Sequence, residues 1–83
     1  MPEQKIGEVS AYFARIGVAG IDLEATLRVG DRIHIKGHTT DLEQEVESLQ
    51  IEHDSVTEAG AGASVGTKVT DRCRKGDTVF KVE

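Results

Sequence analysis

The chain has 83 residues, which is enough for one small domain. Its formal charge is −5, and a content of 30% charged and 37% apolar residues is typical of a folded globular chain rather than a disordered one. No apolar run reaches the length of a membrane span, and the N-terminus shows no apolar signal segment. The single cysteine, Cys73, cannot form an internal disulfide. We therefore expect one monomeric, cytoplasmic domain over residues 1–83, with a flexible tail over residues 1–4.

Short runs rich in β-branched residues, separated by glycines, predict β-strands. The first run is predicted to place Val9, Ala11 and Phe13 on one face of a strand. The clearest run alternates strictly, with Ile33 and Ile35 pointing inward. In chain order, the predicted strands cover residues 5–13, 16–23, 32–37, 63–70 and 78–82.

Residues 40–53 fit two patterns. Their apolar side chains recur at helical spacing from Leu42 to Leu49. A strand is the alternative, and it needs a β-bulge near residues 47–48 to return Leu49 and Ile51 to the inner face. Because a lone helix would leave the predicted sheet without its central strand, the bulged strand is favoured.

Two turns share one local chemistry. Residues 29–31 and 75–77 each place a glycine before an aspartate at the start of a strand. Glycine permits a positive φ, and the aspartate side chain can accept hydrogen bonds from nearby backbone amides. About six short strands joined by such turns predict an all-β fold, a single small antiparallel β-barrel.

The chain resembles the second, β-barrel domain of elongation factor Tu and related translational GTPases, and small free-standing proteins known as translation elongation factor-like. A related barrel forms the C-terminal part of some collagenase-like peptidases. The resemblance spans residues 5–82 and favours the bulged strand in residues 40–53. It is carried by Gly7-x-Val9, TLRVGD with its following alternating strand over residues 26–35, VESLQ over residues 46–50, and spaced glycines and valines over residues 56–66 and 74–79.

The resemblance implies a fold more than an activity. The GTPase domain and the third domain of elongation factor Tu are absent. Residues 20–25, which correspond to an arginine-bearing segment of that family, contain no basic residue. The family's contact with the aminoacyl end of tRNA therefore does not transfer to this chain.

No motif predicts catalysis or a cofactor. The glycine-rich stretch over residues 60–68 ends in Gly-Thr-Lys and leads into a strand, whereas a phosphate loop needs Gly-Lys-Ser/Thr opening a helix. His34 and His38 have the His-x3-His separation of zinc ligands, but a strand that leads into a loop does not bring their imidazoles together. His53 and Cys73 do not supply a second close pair. No two carboxylates are placed for acid–base work. We expect no bound nucleotide, no metal, no cofactor and no enzymatic activity.

Charge is distributed unevenly along the chain. Residues 38–67 contain no Lys or Arg, and their acidic positions Glu43, Glu45 and Glu47 predict either a solvated face or a docking surface for a basic partner. Basic residues are concentrated near the two glycine–aspartate turns. If the fold brings these turns together, the basic side chains are expected to contact phosphates. The basic residues are Arg28, Arg32, Lys68, Arg72, Arg74 and Lys75.

Two functions follow as hypotheses. The resemblance favours a non-catalytic, translation-associated module that contacts ribosomal RNA or a translation protein through the basic residues. The alternative is an accessory protein-interaction domain that uses the acidic face, similar to the barrel of collagenase-like peptidases.

Overall fold

A computed structural model describes residues 3–52 and 54–82, and over these residues the chain forms ten short β-strands. All their pairings are antiparallel, which confirms the predicted all-β fold class. The described residues contain no helix, and hence none that could span a membrane. The strands are β1 (Glu3–Phe13), β2 (Val18–Leu23), β3 (Leu27–Arg28), β4 (Arg32–Lys36), β5 (Asp41–Glu45), β6 (Leu49–Ile51), β7 (Asp54–Val56), β8 (Glu58–Ala59), β9 (Ser64–Lys68) and β10 (Thr78–Val82).

Eight strands form one curved sheet in the order β5-β4-β10-β1-β2-β9-β6-β7, and β3 pairs with β8. Within the described residues, no backbone ladder joins the two outer strands, β5 and β7. A side chain of β5 instead reaches the end of β9. The Gln44 amide on β5 donates to the Lys68 carbonyl at 2.8 Å, and its oxygen accepts from the Thr70 amide at 2.8 Å. The domain is therefore barrel-like, with Gln44 linking β5 to the end of β9.

The first strand departs from its predicted phase. Its register with β2 shifts between Val9 and Ala11, and this bulge reverses the side chains that follow. Val9 is buried, but Phe13 is 53% exposed. The prediction that Val9, Ala11 and Phe13 share one face of the strand is wrong for this reason.

The start of β1 includes half of the segment expected to be a flexible tail. Glu3 pairs with Val82, and Gln4 pairs with Lys81. Residues 1 and 2 lie outside the described residues.

Residues 41–51 form the strands β5 and β6 rather than a helix, as the resemblance favoured. Leu42 and Gln44 on β5, and Val46 just after it, are buried in alternation, and the phase then changes so that Leu49 on β6 is also buried. The interruption at residues 46–48 divides the predicted bulged strand into two strands with different neighbours. His53 lies outside the described residues.

The two glycine–aspartate turns have the same structure. Gly30 and Gly76 have φ angles of 98° and 95°, a region that favours glycine. The Asp31 side chain accepts from the Arg28 amide at 2.9 Å, and the Asp77 side chain accepts from the Arg74 amide at 2.8 Å. The predicted turn chemistry is therefore confirmed at both corners.

The core is apolar and continuous through the barrel-like sheet. Every strand except β7 contributes at least one buried side chain. The largest fully buried apolar side chains are Ile6, Ile21, Leu27, Ile33, Ile35, Leu49, Val9, Val46 and Val79.

Candidate functional site

The predicted basic residues fall at two separate corners. Arg32 pairs with Glu45 and Val82, whereas Lys36, at the other end of β4, pairs with Asp41 and Thr78. A five-residue strand spans about 13 Å between its first and last residues.

The second basic corner lies beside the Lys36 end of β4. Arg72 and Arg74 line a pocket with Asp41, the residue opposite Lys36, and Arg28 precedes the turn that begins β4. The structure therefore separates Arg28 and Arg32 from Arg72 and Arg74, and they do not make one joined basic patch. Contact of these residues with a nucleic acid or protein stays a prediction.

The arginines of the first corner already have acidic partners. Arg28 Nε lies 3.1 Å from a Glu58 carboxylate oxygen, and the Arg32 guanidinium contacts Glu43. Lys68 ends β9 opposite Val18. The contacts with Glu58 and Glu43 reduce the positive charge that Arg28 and Arg32 can offer to a phosphate.

The second corner carries guanidinium groups without such partners. Among the described residues, Arg72 and Arg74 make no ion pair through their side chains. Together with the turn that joins β4 to β5, they line a pocket of about 370 Å³. Lys75 is exposed next to this pocket but does not line it.

The predicted acidic face is balanced by the neighbouring strand. On the outer face of the β4–β5 pair, Glu45 lies opposite Arg32, and Glu43 lies opposite His34. Cross-strand pairs of opposite charge stabilise a sheet and leave little net charge at the surface. Glu47 is exposed in the segment that follows β5. Sequence counting revealed the acids but could not show which bases the sheet would place beside them.

His34 is held between two carboxylates. Its Nδ1 lies 2.7 Å from a Glu3 oxygen, and its Nε2 contacts Asp41. The hydrogen bond to Asp41, and then the one to Glu3, raise the pKa of His34 above its ordinary value, against a smaller opposing effect of burial. The same bond from His34 lowers the pKa of Asp41.

The three residues Glu3, His34 and Glu43 are also placed as metal ligands would be, since their ligand atoms lie within 4.8 Å of one another. They come from three different strands, so no sequence spacing could reveal them. Both nitrogens of the imidazole already contact carboxylates, and Glu43 pairs with Arg32. We therefore interpret the group as an ion-pair network.

The histidines and cysteine considered in the sequence do not form such a group within the described residues. His38 is exposed in the turn after β4, and Cys73 is 2% exposed in the core. Burial, followed by the charge of Asp77, raises the pKa of Cys73 to about 11. A thiol in this state is a poor nucleophile, and Cys73 packs as a buried residue of the core.

The His34 contacts predict a pH-dependent stability. Because the folded-state pKa is raised, the stabilisation by protonated His34 is complete below about pH 6.5 and is lost as the pH rises through the raised pKa. His34→Gln should therefore lower the free energy of unfolding more at pH 5.5 than at pH 9. Urea denaturation at the two pH values measures this difference. The matched variant His38→Gln removes an exposed imidazole, and an equal pH dependence in both variants would contradict the assignment to His34.

An apolar groove crosses the outer face of β1, β2 and β9, with a volume of about 450 Å³. Phe13 and Ile16, at the β1–β2 hairpin, are 53% and 63% exposed and form one side. Gly20 lies opposite Gly66 on the floor of the groove. Because glycine has no side chain, the groove is deeper at this point. Alternation along the sequence placed Phe13 on the same face as Val9 and so gave no sign of this groove.

Comparison with known proteins relates the chain to peptidases. It is 40% identical over 77 residues to an uncharacterized protease from Methanocaldococcus jannaschii, covering 92% of this chain and 19% of the relative. It is 32% identical over 80 residues to a collagenase from Porphyromonas gingivalis, covering 94% of this chain and 22% of the relative. The chain thus spans about a fifth of the length of these proteins. No protein-family model matches it.

Solved structures show the same fold. The C-terminal domain of a Geobacillus thermoleovorans protein assigned as a U32 peptidase superposes with a TM-score of 0.90 at 20% identity, over 96% of this chain and 93% of that domain. GDP-bound aIF5B from Aeropyrum pernix gives a TM-score of 0.62 at 15% identity, over 95% of this chain and 14% of that protein.

These comparisons correct the resemblance drawn from the sequence. The identification as a translation elongation factor-like protein is wrong, since the similarity is to a domain of collagenase-like peptidases. The translational GTPase matches less closely and shares only the fold. The motifs that suggested it, above all the glycine–aspartate corners, maintain the barrel and carry no information about a translation role.

Proposed function

We propose that the chain is a non-catalytic accessory domain of a collagenase-like peptidase, and that it docks on the rest of that peptidase through the apolar groove. The observation that carries the proposal is the exposure of Phe13 and Ile16 beside the glycine floor of the groove. The domain serves this role within one polypeptide or alongside a separate one.

The absence of a catalytic arrangement among the described residues supports the non-catalytic role. Cys73 is buried with a raised pKa, and His34 is bound to two carboxylates. About four fifths of the length of each relative lies outside the segment that matches this chain. That additional chain offers room for a catalytic domain of ordinary size.

The groove suits an interface with another domain of the peptidase. Interfaces between domains of one protein commonly bury about 600–1,500 Å² and combine apolar with polar contacts. The groove has apolar walls at Phe13, Ile16 and Val18, and polar positions at Ser64 and Gln50. Burial of the exposed aromatic and aliphatic side chains would supply the favourable free energy.

The acidic face is the less suitable surface. The Glu43 carboxylate already contacts Arg32, and the Asp41 carboxylate already contacts His34. A basic partner would have to displace these contacts, which reduces the net gain from new ion pairs.

A chimera tests the docking. In the Methanocaldococcus jannaschii protease, this chain would replace the matching 77 residues. Covalent linkage raises the effective concentration to the millimolar range, so modest affinity suffices. We expect hydrogen–deuterium exchange to be slower in the chimera than in the isolated chain at the β1–β2 hairpin and β9. Exchange over residues 41–47 should be unchanged.

Substitutions at the hairpin identify the contacts. The double variant Phe13→Ser/Ile16→Ser should remove the added protection, while Val29→Ser, at another exposed apolar position, should retain it. Protection over residues 41–47 instead would assign docking to the acidic face. Equal exchange in the chimera and the isolated chain would show that the domain does not dock.

A further inference from the structure

The pocket between the β4–β5 turn and the segment before β10 has unpaired positive charge. It is lined by two arginines and two aspartates, Arg72, Arg74, Asp41 and Asp71. Both aspartates already accept hydrogen bonds, Asp41 from His34 and Asp71 from the Arg72 backbone amide at 2.7 Å. Within the described part of the chain, neither Arg72 nor Arg74 has an ion-pair partner, so both guanidinium groups are available to a ligand beside two carboxylates that keep their charge.

A hydroxyl reinforces this arrangement. Thr40 is 7% exposed and lines the pocket. Because Thr40 lines the pocket, its hydroxyl can donate a hydrogen bond to a bound oxygen there.

The pocket walls are held together by the fold. The Gly37 amide donates to the Thr40 carbonyl at 2.8 Å and closes the β4–β5 turn. The Asp77 carboxylate accepts from the Arg74 amide at 2.8 Å and packs against Gly37. Asp77 thus connects the segment that carries the arginines to the turn that carries the hydroxyl. Such support positions binding groups before a ligand arrives.

We propose that this pocket binds a carboxylate group of a polypeptide. Planar guanidinium groups recognise carboxylate and phosphate through paired hydrogen bonds. The nearby carboxylates of Asp41 and Asp71 and the net charge of −5 disfavour a dianionic phosphate or a polyanion more than a single carboxylate. A volume of about 370 Å³ lies at the small end of the range for ligand pockets. The choice of a polypeptide rests on the proposed peptidase role, whereas the anion site does not.

The test uses nitrogen-15-labelled full-length chain and small probes. Acetyl-trialanine with a free C-terminal carboxylate should shift the amide signals of Thr39, Thr40, Arg72 and Arg74, and its C-terminally amidated form should not. Acetyl-Ala-Asp-Ala-amide distinguishes an acidic side chain from a chain terminus as the source of the carboxylate. Inorganic phosphate and hexauridylate are the competing ligands.

Matched variants separate binding from folding. Arg72→Gln and Arg74→Gln should each weaken binding of the free-carboxylate peptide about tenfold, which corresponds to loss of a charge-assisted hydrogen bond. Lys75→Gln removes an adjacent charge outside the pocket and should have little effect. Thr40→Val removes only the hydroxyl and should weaken binding while the amide spectrum stays dispersed.

Three results would overturn the proposal: tighter binding of phosphate or hexauridylate than of the carboxylate peptide, equal shifts with the amidated peptide, or no shift at the pocket residues. Failure here is distinct from failure of the docking proposal, because the groove and the pocket share no residue.

Discussion

Replacement of Gly37 by alanine is expected to destabilise the domain by about 2–4 kcal/mol. A methyl group at this position would overlap the carboxylate of Asp77. Asp77 is 6% exposed, and its side chain holds the Arg74 amide. The carboxylate can make room only by giving up that hydrogen bond or by moving the turn, and either change leaves a buried charge less well satisfied. For a domain of this size, the melting temperature should fall by at least about 10 °C.

Gly60→Ala is the matched control for this substitution. No atom lies within 4 Å of the position that its methyl group would take, and its φ is not in the positive range. Thermal unfolding followed by circular dichroism should show a change of about 0.5 kcal/mol or less for this variant. Equal destabilisation by both substitutions would contradict the close packing of Gly37 against Asp77.

Replacement of Gln44 by methionine is expected to destabilise the domain by about 2–3 kcal/mol. The side chain is 8% exposed and has bonds of 2.8 Å to both the Lys68 carbonyl and the Thr70 amide. Methionine preserves its length but can neither donate nor accept in this way. The backbone groups of Lys68 and Thr70 would lose their partner, and the link between β5 and the end of β9 would open.

Amide hydrogen exchange adds a local measurement to the denaturation experiment. In Gln44→Met, exchange of the Thr70 amide should accelerate more than exchange in β1 and β2. Gln4→Met, at an exposed position of β1, should change the free energy of unfolding by less than about 0.5 kcal/mol. Unchanged exchange at Thr70 would show that the side-chain link does not hold the two segments together.

The two destabilising substitutions affect the proposed pocket differently. Gly37 and Asp77 support the pocket wall that carries Arg74, so Gly37→Ala disturbs folding and the pocket at once. For this reason, the binding test uses exposed Arg72 and Arg74 and the hydroxyl of Thr40 rather than residues that hold the fold.

The comparison with peptidases also explains why a familiar fold suggested the wrong family. A glycine with positive φ followed by an aspartate that accepts a backbone amide is a local solution for a tight corner before a strand. Gly30 with Asp31 and Gly76 with Asp77 both use it. Because any protein with this barrel needs such corners, their presence identifies the barrel and does not distinguish a translation factor from a peptidase domain.

The longer strands and the two glycine–aspartate corners follow from local sequence patterns, whereas the short strands β3, β7 and β8 do not. Alternation at Ile33 and Ile35, and the phase change before Leu49, depend on whether neighbouring residues face water or the core, and this is a local pattern. Predicted strands at residues 32–37 and 78–82 therefore agree with β4 and β10 to within a residue.

The surfaces that are available for function depend instead on how distant segments come together in the fold. Cross-strand register placed Arg32 beside the acids of β5 and so balanced a face that looked acidic along the chain. A bulge after Val9 turned Phe13 outward and created the groove. Arg72 and Arg74 joined Thr40 at one pocket although about 30 residues separate them in sequence. Each of these results arises from contacts between distant segments, which depend on register and sheet curvature and are not encoded in any short run of residues.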